Sequence, residues 1–359
     1  MNRCPKCGTE YPDDAKFCTK DGTRLLAKAD ASGAANPLAV SGPRPTTGPS
    51  RGEPIPAPGY TNLVGQTLDK RYKIERKLGE GGMSFVYLAT DIATQAQFAI
   101  KVLSEALSQD ANAMARLRRE AALGMRLAHP NVCHIMRLGE TEDRLVYVVM
   151  PYVNGEILAD RNNRLGHIPL ADTVKFVKDM AAGLFVAHEL NILHRDLKPE
   201  NVMICRGPDT TEYAVVMDFG LAKERKAEGE LQKLTATGII LGTPEFMSPE
   251  QLRGKPLDPR TDIYSLSLMT YEMLTGKLPF QGRTQQEMMI ARLRSDPVPI
   301  RKMRPDLDIP EAVEKALAKA MARNPDDRYQ TVIEFADALA VAAGGVSAES
   351  GLLGKLFGR

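Results

Sequence analysis

No apolar run in the 359 residues approaches the roughly 20 that a membrane-crossing helix requires; the best candidate, Leu145 to Val149, is strand-sized. The N-terminus, Met1-Asn2-Arg3-Cys4, lacks the hydrophobic stretch of a secretory leader, so a cytoplasmic protein is expected. A surplus of either charge is missing too. Lys and Arg total 47 against 45 Asp and Glu, a net charge of +2, which argues against wholesale binding to nucleic acid or a membrane surface. No internal repeat is visible. Cysteine is scarce: five residues, which cannot all pair with one another, and Cys4, Cys7 and Cys18 crowd into the start of the chain. In a reducing compartment that clustering points to metal rather than disulfide. What remains is ordinary for a globular protein, 43% hydrophobic and 26% charged, and long enough for one large domain or two moderate ones.

Residues 1–26 form a Cys-rich segment, and residues 27–65 a linker rich in Ala, Gly, Ser, Thr and Pro, where Pro37, Pro43, Pro45, Pro49, Pro54, Pro56 and Pro58 oppose regular structure. Residues 66–342 carry a different pattern. Tyr72–Leu78, Phe85–Ala89 and Phe98–Leu103 are short apolar runs between turn residues, which predicts strands. Met114, Leu117, Ala121 and Met125 recur at helical spacing within Ala111–Leu127. Two more strands are predicted near Val132–Leu138 and Leu145–Met150, and another at Tyr213–Met217. Helices are predicted over 171–190, 261–275, 284–294, 311–322 and 331–342. A β-rich part followed by an α-rich part leaves a natural cleft between them. Residues 343–359 end in the short basic, apolar run Leu352–Arg359, better read as a flexible tail than as a membrane contact.

The turn after the first of these strands reads Gly79-Glu80-Gly81-Gly82-Met83-Ser84-Phe85-Val86. Glycines there let backbone N–H groups approach phosphate oxygens, although such a hairpin is more often only a hairpin. Phe98-Ala99-Ile100-Lys101-Val102 then sets a lysine among apolar strand residues, which is costly unless the charge is partnered. Glu120, at the margin of the following helix's apolar face, is a candidate partner; the bland alternative is two solvated charges. His194-Arg195-Asp196-Leu197-Lys198-Pro199-Glu200-Asn201 follows, and after it Asp218-Phe219-Gly220.

With these motifs in order, the chain resembles the eukaryotic-like (Hanks-type) serine/threonine protein kinases, the bacterial branch in particular, from about Tyr72 to Leu339. The resemblance implies an α+β, bilobal protein kinase fold with a β-rich N-lobe and an α-rich C-lobe. It implies that Lys101 holds the α- and β-phosphates of ATP and is itself held by Glu120. Asp218 and Asn201 would bind Mg²⁺ or Mn²⁺, Asp196 would orient the attacking hydroxyl, and Lys198 would neutralise the γ-phosphate. His194 and Phe219 read as packing residues. Leu78, Gly79, Gly81, Ser84, Val86, Ala99, Met150, Tyr152 and Val153 are the implied nucleotide contacts, with Met203 near the adenine ring or simply in the core. Ser84 stands where the family pattern has a third glycine, and Pro151 where a glutamate is commoner. Thr235 and Thr237 are candidate autophosphorylation sites, because Arg195 beside Asp196 marks kinases whose activation segment is ordered by a phosphate–guanidinium pair. Thr243 would bridge Asp196 and Lys198, Glu250 would pair with Arg328, and Asp262 would brace the catalytic loop.

At the other end, Cys4-Pro5-Lys6-Cys7-Gly8 and Phe17-Cys18-Thr19-Lys20-Asp21-Gly22 resemble the two knuckles of a zinc ribbon, with Asp21 in place of the fourth cysteine. Zinc accepts a carboxylate, so Cys4, Cys7, Cys18 and Asp21 are the candidate ligands; a metal-free ribbon is the alternative. Cys133 and Cys205 read as buried, inert thiols. Protein substrates and ATP are the expected partners. Dimers are common among such kinases, though no interface signature marks one. Two other readings compete: a pseudokinase scaffold recruiting clients through the ribbon, and a zinc-dependent nucleic-acid binder. The first is disfavoured because Lys101, Glu120, Asp196, Asn201 and Asp218 are all present. The second rests on the ribbon alone.

Overall fold

In a computed structural model, residues 2–3, 9–11, 63–81, 84–104, 108, 111–219 and 244–344 are described. The chain divides into two compact units, Met1–Ile55 and Pro56–Arg359. In the first, β1 (Asn2–Arg3) and β2 (Glu10–Tyr11) pair antiparallel, Asn2 opposite Tyr11. Cys4, Cys7, Cys18, Asp21, Gly82, Thr235, Thr237 and Thr243 lie outside the described residues. Among those described, no helix is long and apolar enough to cross a membrane.

The second unit begins with a six-stranded antiparallel sheet. Its strands are β3 (Thr67–Leu68), β4 (Tyr72–Gly81), β5 (Ser84–Asp91), β6 (Gln97–Leu103), β7 (Arg137–Glu140) and β8 (Val146–Pro151), in the order β3-β4-β5-β6-β8-β7. Apart from Gln97 and Lys101, apolar residues run through β6 and β8 because both faces are covered. Alternate side chains part to opposite sides: Ala99, Leu103, Val146, Val148 and Met150 join one cluster, Ile100, Val102, Tyr147 and Val149 the other. The first of these clusters also takes in Met114, Leu117 and Ala121 of helix α1 (Ala111–Gly124), three of the four residues predicted at helical spacing; the fourth, Met125, lies just past the helix and is exposed. Leu63, 2% exposed, already belongs to the second cluster, so the folded unit starts inside the segment read as linker.

Past the sheet the chain turns helical, as the pattern predicts: α2 (Leu158–Leu165), α3 (Leu170–Glu189), α4 (Pro249–Leu252), α5 (Arg260–Thr275), α6 (Gln285–Arg294), α7 (Ile300–Met303), α8 (Glu311–Ala320) and α9 (Val332–Ala342). Their centre is α5, buried at all but two of its sixteen positions. That accounts for its nearly uniform apolar and small-polar composition, since a helix enclosed by others has no solvated face. A small sheet, β9 (Glu156–Ile157), β10 (Val202–Arg206) and β11 (Glu212–Val216), stands at the mouth of this helical part.

The expected strand over Val132–Leu138 is corrected. Val132 makes only a bridge to Val216, Cys133 N–H bonds to Val216 O, and Met136 N–H bonds to Val149 O. The segment hands its hydrogen bonds from the small sheet to the large one, and a strand forms only once it has crossed, at Arg137. The short helix α2 carries a weak local pattern and has no counterpart among the predicted elements, whereas the strand-like segment around Cys205 is β10.

Candidate active site

Lys101 shares its face of β6 with Ala99 and Leu103, and its cross-strand neighbours are Val86 and Val148. The period of two therefore turns the ammonium toward the helical part rather than to solvent, leaving its side chain 13% exposed. There it meets Asp218: Nζ to Oδ1 is 2.8 Å. The anticipated Lys101–Glu120 pair is corrected on this point, for among the described residues the carboxylate that Lys101 contacts is that of Asp218. Glu120 is half-buried on α1.

Asp218 follows β11 and is positioned from both sides. Met217 N–H donates to Asn201 O at 2.8 Å, and Met217 O lies 2.8 Å from His194 Nε2. Asp218 itself has φ of 54°, in the left-handed region that a non-glycine residue adopts only where surroundings impose it. Phe219 packs edge-on against His194, with ring centroids 4.9 Å apart. His194 is 1% exposed, in keeping with a packing role.

Around Asp196 the groups interlock. Asn201 Nδ2 donates to Asp196 O at 2.8 Å and to Asp196 Oδ2 at 3.0 Å, and Lys198 Nζ stands 3.6 Å from the same Oδ2. With its nitrogen so engaged, the Asn201 amide has an oxygen left as a ligand atom. Together with the Asp218 carboxylate it offers the hard oxygen donors that a magnesium ion prefers. The residues fit that ion.

The loop holding Asp196 is braced from beneath by Asp262 of α5, which is fully buried. Its Oδ2 accepts from His194 N–H at 2.9 Å and lies 2.8 Å from His188 Nε2, while Oδ1 accepts from Arg195 N–H at 3.0 Å. Burial opposes ionisation of this carboxyl, but the bonds and charges of His188 and His194 outweigh it and hold the group below its usual range. Arg195 has φ of 64°, so this bracing holds a strained backbone. Gln251 Nε2 adds a bond to Arg195 O at 2.7 Å. His188 and Gln251 carry no sequence signal of their own. Only the packing of α3, α4 and α5 brings them here.

The residues expected to contact a nucleotide line an apolar side of the cleft. Val86, Ala99, Met150, Val153 and Met203 all belong to one cluster. Tyr152 accepts a bond from Arg76 at 3.4 Å. Leu78 is exposed at the lip. Gly79 lies opposite Val86 and Gly81 opposite Ser84 in the hairpin. Among the described residues, no atom comes within 4 Å of where a Gly79 side chain would begin, so the backbone there is open to approach. Cys133 and Cys205 are buried in the same cluster, and burial pushes the Cys133 thiol up to about 12 and raises that of Cys205 as well. Both are inert thiols, as expected.

Farther from the cleft, Glu250 and Arg328 form the expected pair, bidentate at 2.7 and 2.8 Å with side chains 7% and 0% exposed. Burial works against the Glu250 carboxylate, yet the Arg328 bonds keep it below its ordinary range.

Comparison with known proteins finds a protein kinase domain over residues 72–338 and a zinc-ribbon domain over residues 3–25. The serine/threonine-protein kinase pkn3 of Myxococcus xanthus is 35% identical over 278 residues, 77% of this chain and 51% of its own length. PknB of Mycolicibacterium smegmatis is 38% identical over 283 residues, 78% of this chain and 44% of its own. The chain thus spans about half, or less, of these curated relatives. The crystal structure of the Mycobacterium tuberculosis PknI kinase domain matches with a TM-score of 0.60 and 28% identity, over 78% of this chain and 99% of that one.

Proposed function

The chain belongs to the protein kinase domain family, with a zinc-ribbon domain ahead of it, and we propose that it transfers the γ-phosphoryl group of ATP to serine and threonine hydroxyls of proteins. One observation carries the reading. Lys198, Asp196, Asn201, Asp218 and Lys101, drawn from both sides of the cleft, are linked by an almost continuous run of polar contacts. The names and identities of the bacterial relatives support it.

Each residue has a physical task. Lys101 grips the nucleotide's α- and β-phosphates. Asn201 and Asp218 would hold magnesium, which would supply positive charge to offset that on the transferring phosphoryl group. Asp196 accepts the hydroxyl's hydrogen bond and aligns it for in-line attack, and Lys198 stabilises charge on the γ-phosphate oxygens. Val86, Ala99, Met150 and Val153 pack on the adenine, whose edge meets backbone groups around Tyr152. Thr235 and Thr237 are the proposed self-phosphorylation sites, with Arg195 as the guanidinium that would receive the phosphate.

The purified chain with labelled ATP and Mg²⁺ should label protein serines and threonines, including Thr235 and Thr237. Asp218→Ala should abolish labelling, and Asp196→Asn should lower kcat by about 10²- to 10⁴-fold. Robust nucleotide binding without any transfer would instead favour the pseudokinase scaffold.

For the ribbon, the reading is one zinc per chain held by Cys4, Cys7, Cys18 and Asp21. Strands β1 and β2 pair antiparallel within this segment, and three thiolates with one carboxylate satisfy tetrahedral zinc. Metal analysis should return one equivalent of zinc, lost in Cys18→Ser.

A further inference from the structure

Helix α6 stands apart from the core: of its residues only Arg292 is buried, at 1% exposed. An enclosed guanidinium is costly unless it is well partnered. Its hydrogen-bond partners here are three backbone carbonyls. Nη1 donates to Pro244 O at 2.6 Å and to Met247 O at 3.0 Å, and Nη2 donates to Glu245 O at 2.6 Å. Burial works against the charge and pulls the pKa of Arg292 down, while Tyr264 and Glu245 act in the other direction. The main packing partners of α6 are likewise the turn Pro244–Phe246 and α4.

The segment so gripped is fixed at every carbonyl. Ser265 Oγ of α5 donates to Phe246 O at 2.8 Å, so each carbonyl from Pro244 to Met247 accepts from a side chain of another helix. Ser248 then forms a reciprocal pair with Gln251. Gln251 N–H donates to Ser248 Oγ at 3.2 Å, and Ser248 N–H donates to Gln251 Oε1 at 2.9 Å. The Nε2 of that same Gln251 donates to Arg195 O, on the left-handed residue that precedes Asp196. A path of bonds therefore runs from Arg292 through the turn and Gln251 to the neighbour of Asp196. An apolar side chain would serve merely to anchor α6. A planar fork aimed at three carbonyls fixes orientation as well.

We propose that Arg292 is a positioning residue for phosphoryl transfer: its grip on Pro244–Met247 sets, by way of Gln251, where Asp196 stands relative to the hydroxyl it aligns. This rests on the kinase reading and adds to it a residue far from the reacting atoms. Lys101 and Asp218, which bond to each other across the cleft, lie off this path. Nucleotide affinity is therefore spared when the path is cut. The loss falls on the rate of transfer, because a misplacement of about 1 Å at a reacting pair costs about 10²-fold.

The test is a mutant cycle on the full chain, with peptide phosphorylation and Mg-ATP binding measured below the melting temperature of every variant. Arg292→Met should lower kcat at least about five-fold and leave the Kd for Mg-ATP within about two-fold of the parent. Gln251→Glu keeps the acceptor for Ser248 N–H but loses the donor to Arg195 O, so its kcat should fall by the same route. Because both lie on one path, the double variant should stay within about three-fold of the slower single variant. Arg292→Lys keeps the charge without the fork and should fall between the parent and Arg292→Met. It carries the same cycle if Arg292→Met does not fold. A smaller loss of kcat in folded Arg292→Met, or none in Arg292→Lys, overturns the proposal. So do losses that multiply in the double variant, or a Kd for Mg-ATP that rises as much as kcat falls. Each of these leaves the kinase reading intact, whereas a parent chain that phosphorylates neither peptides nor itself sinks both.

Discussion

Asp262 has two carboxylate oxygens and three partners, His188, His194 and Arg195, all converging inside the protein. Because its folded pKa lies below the ordinary value, the carboxylate stabilises the fold at pH values above about 4. That contribution is lost as pH falls through the depressed pKa. Asp262→Asn should therefore lower stability at neutral pH by about 1.5–3 kcal/mol, the worth of a charged hydrogen bond. It should also flatten the acid limb of the stability profile, measured by denaturant titration at several pH values. The Arg195 backbone would relax, so kcat should fall more than the KM for ATP rises. Glu250 and Arg328 make a harsher case. Arg328→Met leaves a buried carboxylate without its bidentate partner and should cost about 3–5 kcal/mol, whereas replacing both residues with apolar ones should cost much less.

At the scale of elements, close approach matters as much as polarity. On α3, a Cβ at Gly183 would lie 2.7 Å from Val132 Cγ2 and 2.9 Å from Asn131 O. The backbone oxygen has no freedom to yield, because Val216 N–H bonds to it. Gly183→Ala should push α3 away from the segment that anchors the end of β11, destabilising the protein by about 1–3 kcal/mol. Since Asp218 lies two residues beyond Val216, the variant should also weaken nucleotide binding. Isothermal titration beside a thermal melt separates the two effects. At the far end of α5, Gly276 turns the chain with φ of 70°, and a Cβ there would meet Gly166 O at 1.9 Å. Only glycine suits that junction between α2 and α5.

For the whole molecule, the Lys101–Asp218 pair joins the six-stranded sheet to the helical part. A nucleotide with magnesium would take both partners, Lys101 through phosphate and Asp218 through the metal, and so exchange one bridge for several. Mg-ATP at about a hundred times its Kd should stabilise the protein by about 2.7 kcal/mol, read as a rise in Tm. Lys101→Met and Asp218→Ala should each remove most of that rise, and omission of magnesium should reduce it. An unchanged shift in both variants would mean that nucleotide binds elsewhere.

The sequence alone determined what is written locally. The order of strands before helices, the period that turns Lys101 inward, the glycine hairpin and the run from His194 to Asn201 each depend on neighbours a few residues apart. Helix limits fell within a residue or two for the same reason. Tertiary structure decided the pairings across long separations: Asp218 for Lys101, 117 residues away, His188 for Asp262, 74 away, and Asn162 for Glu272, 110 away. A charged side chain takes whichever opposite group packing brings within reach, and packing is settled by the whole core at once. Residue type announces the need for a partner, but only the folded chain supplies one.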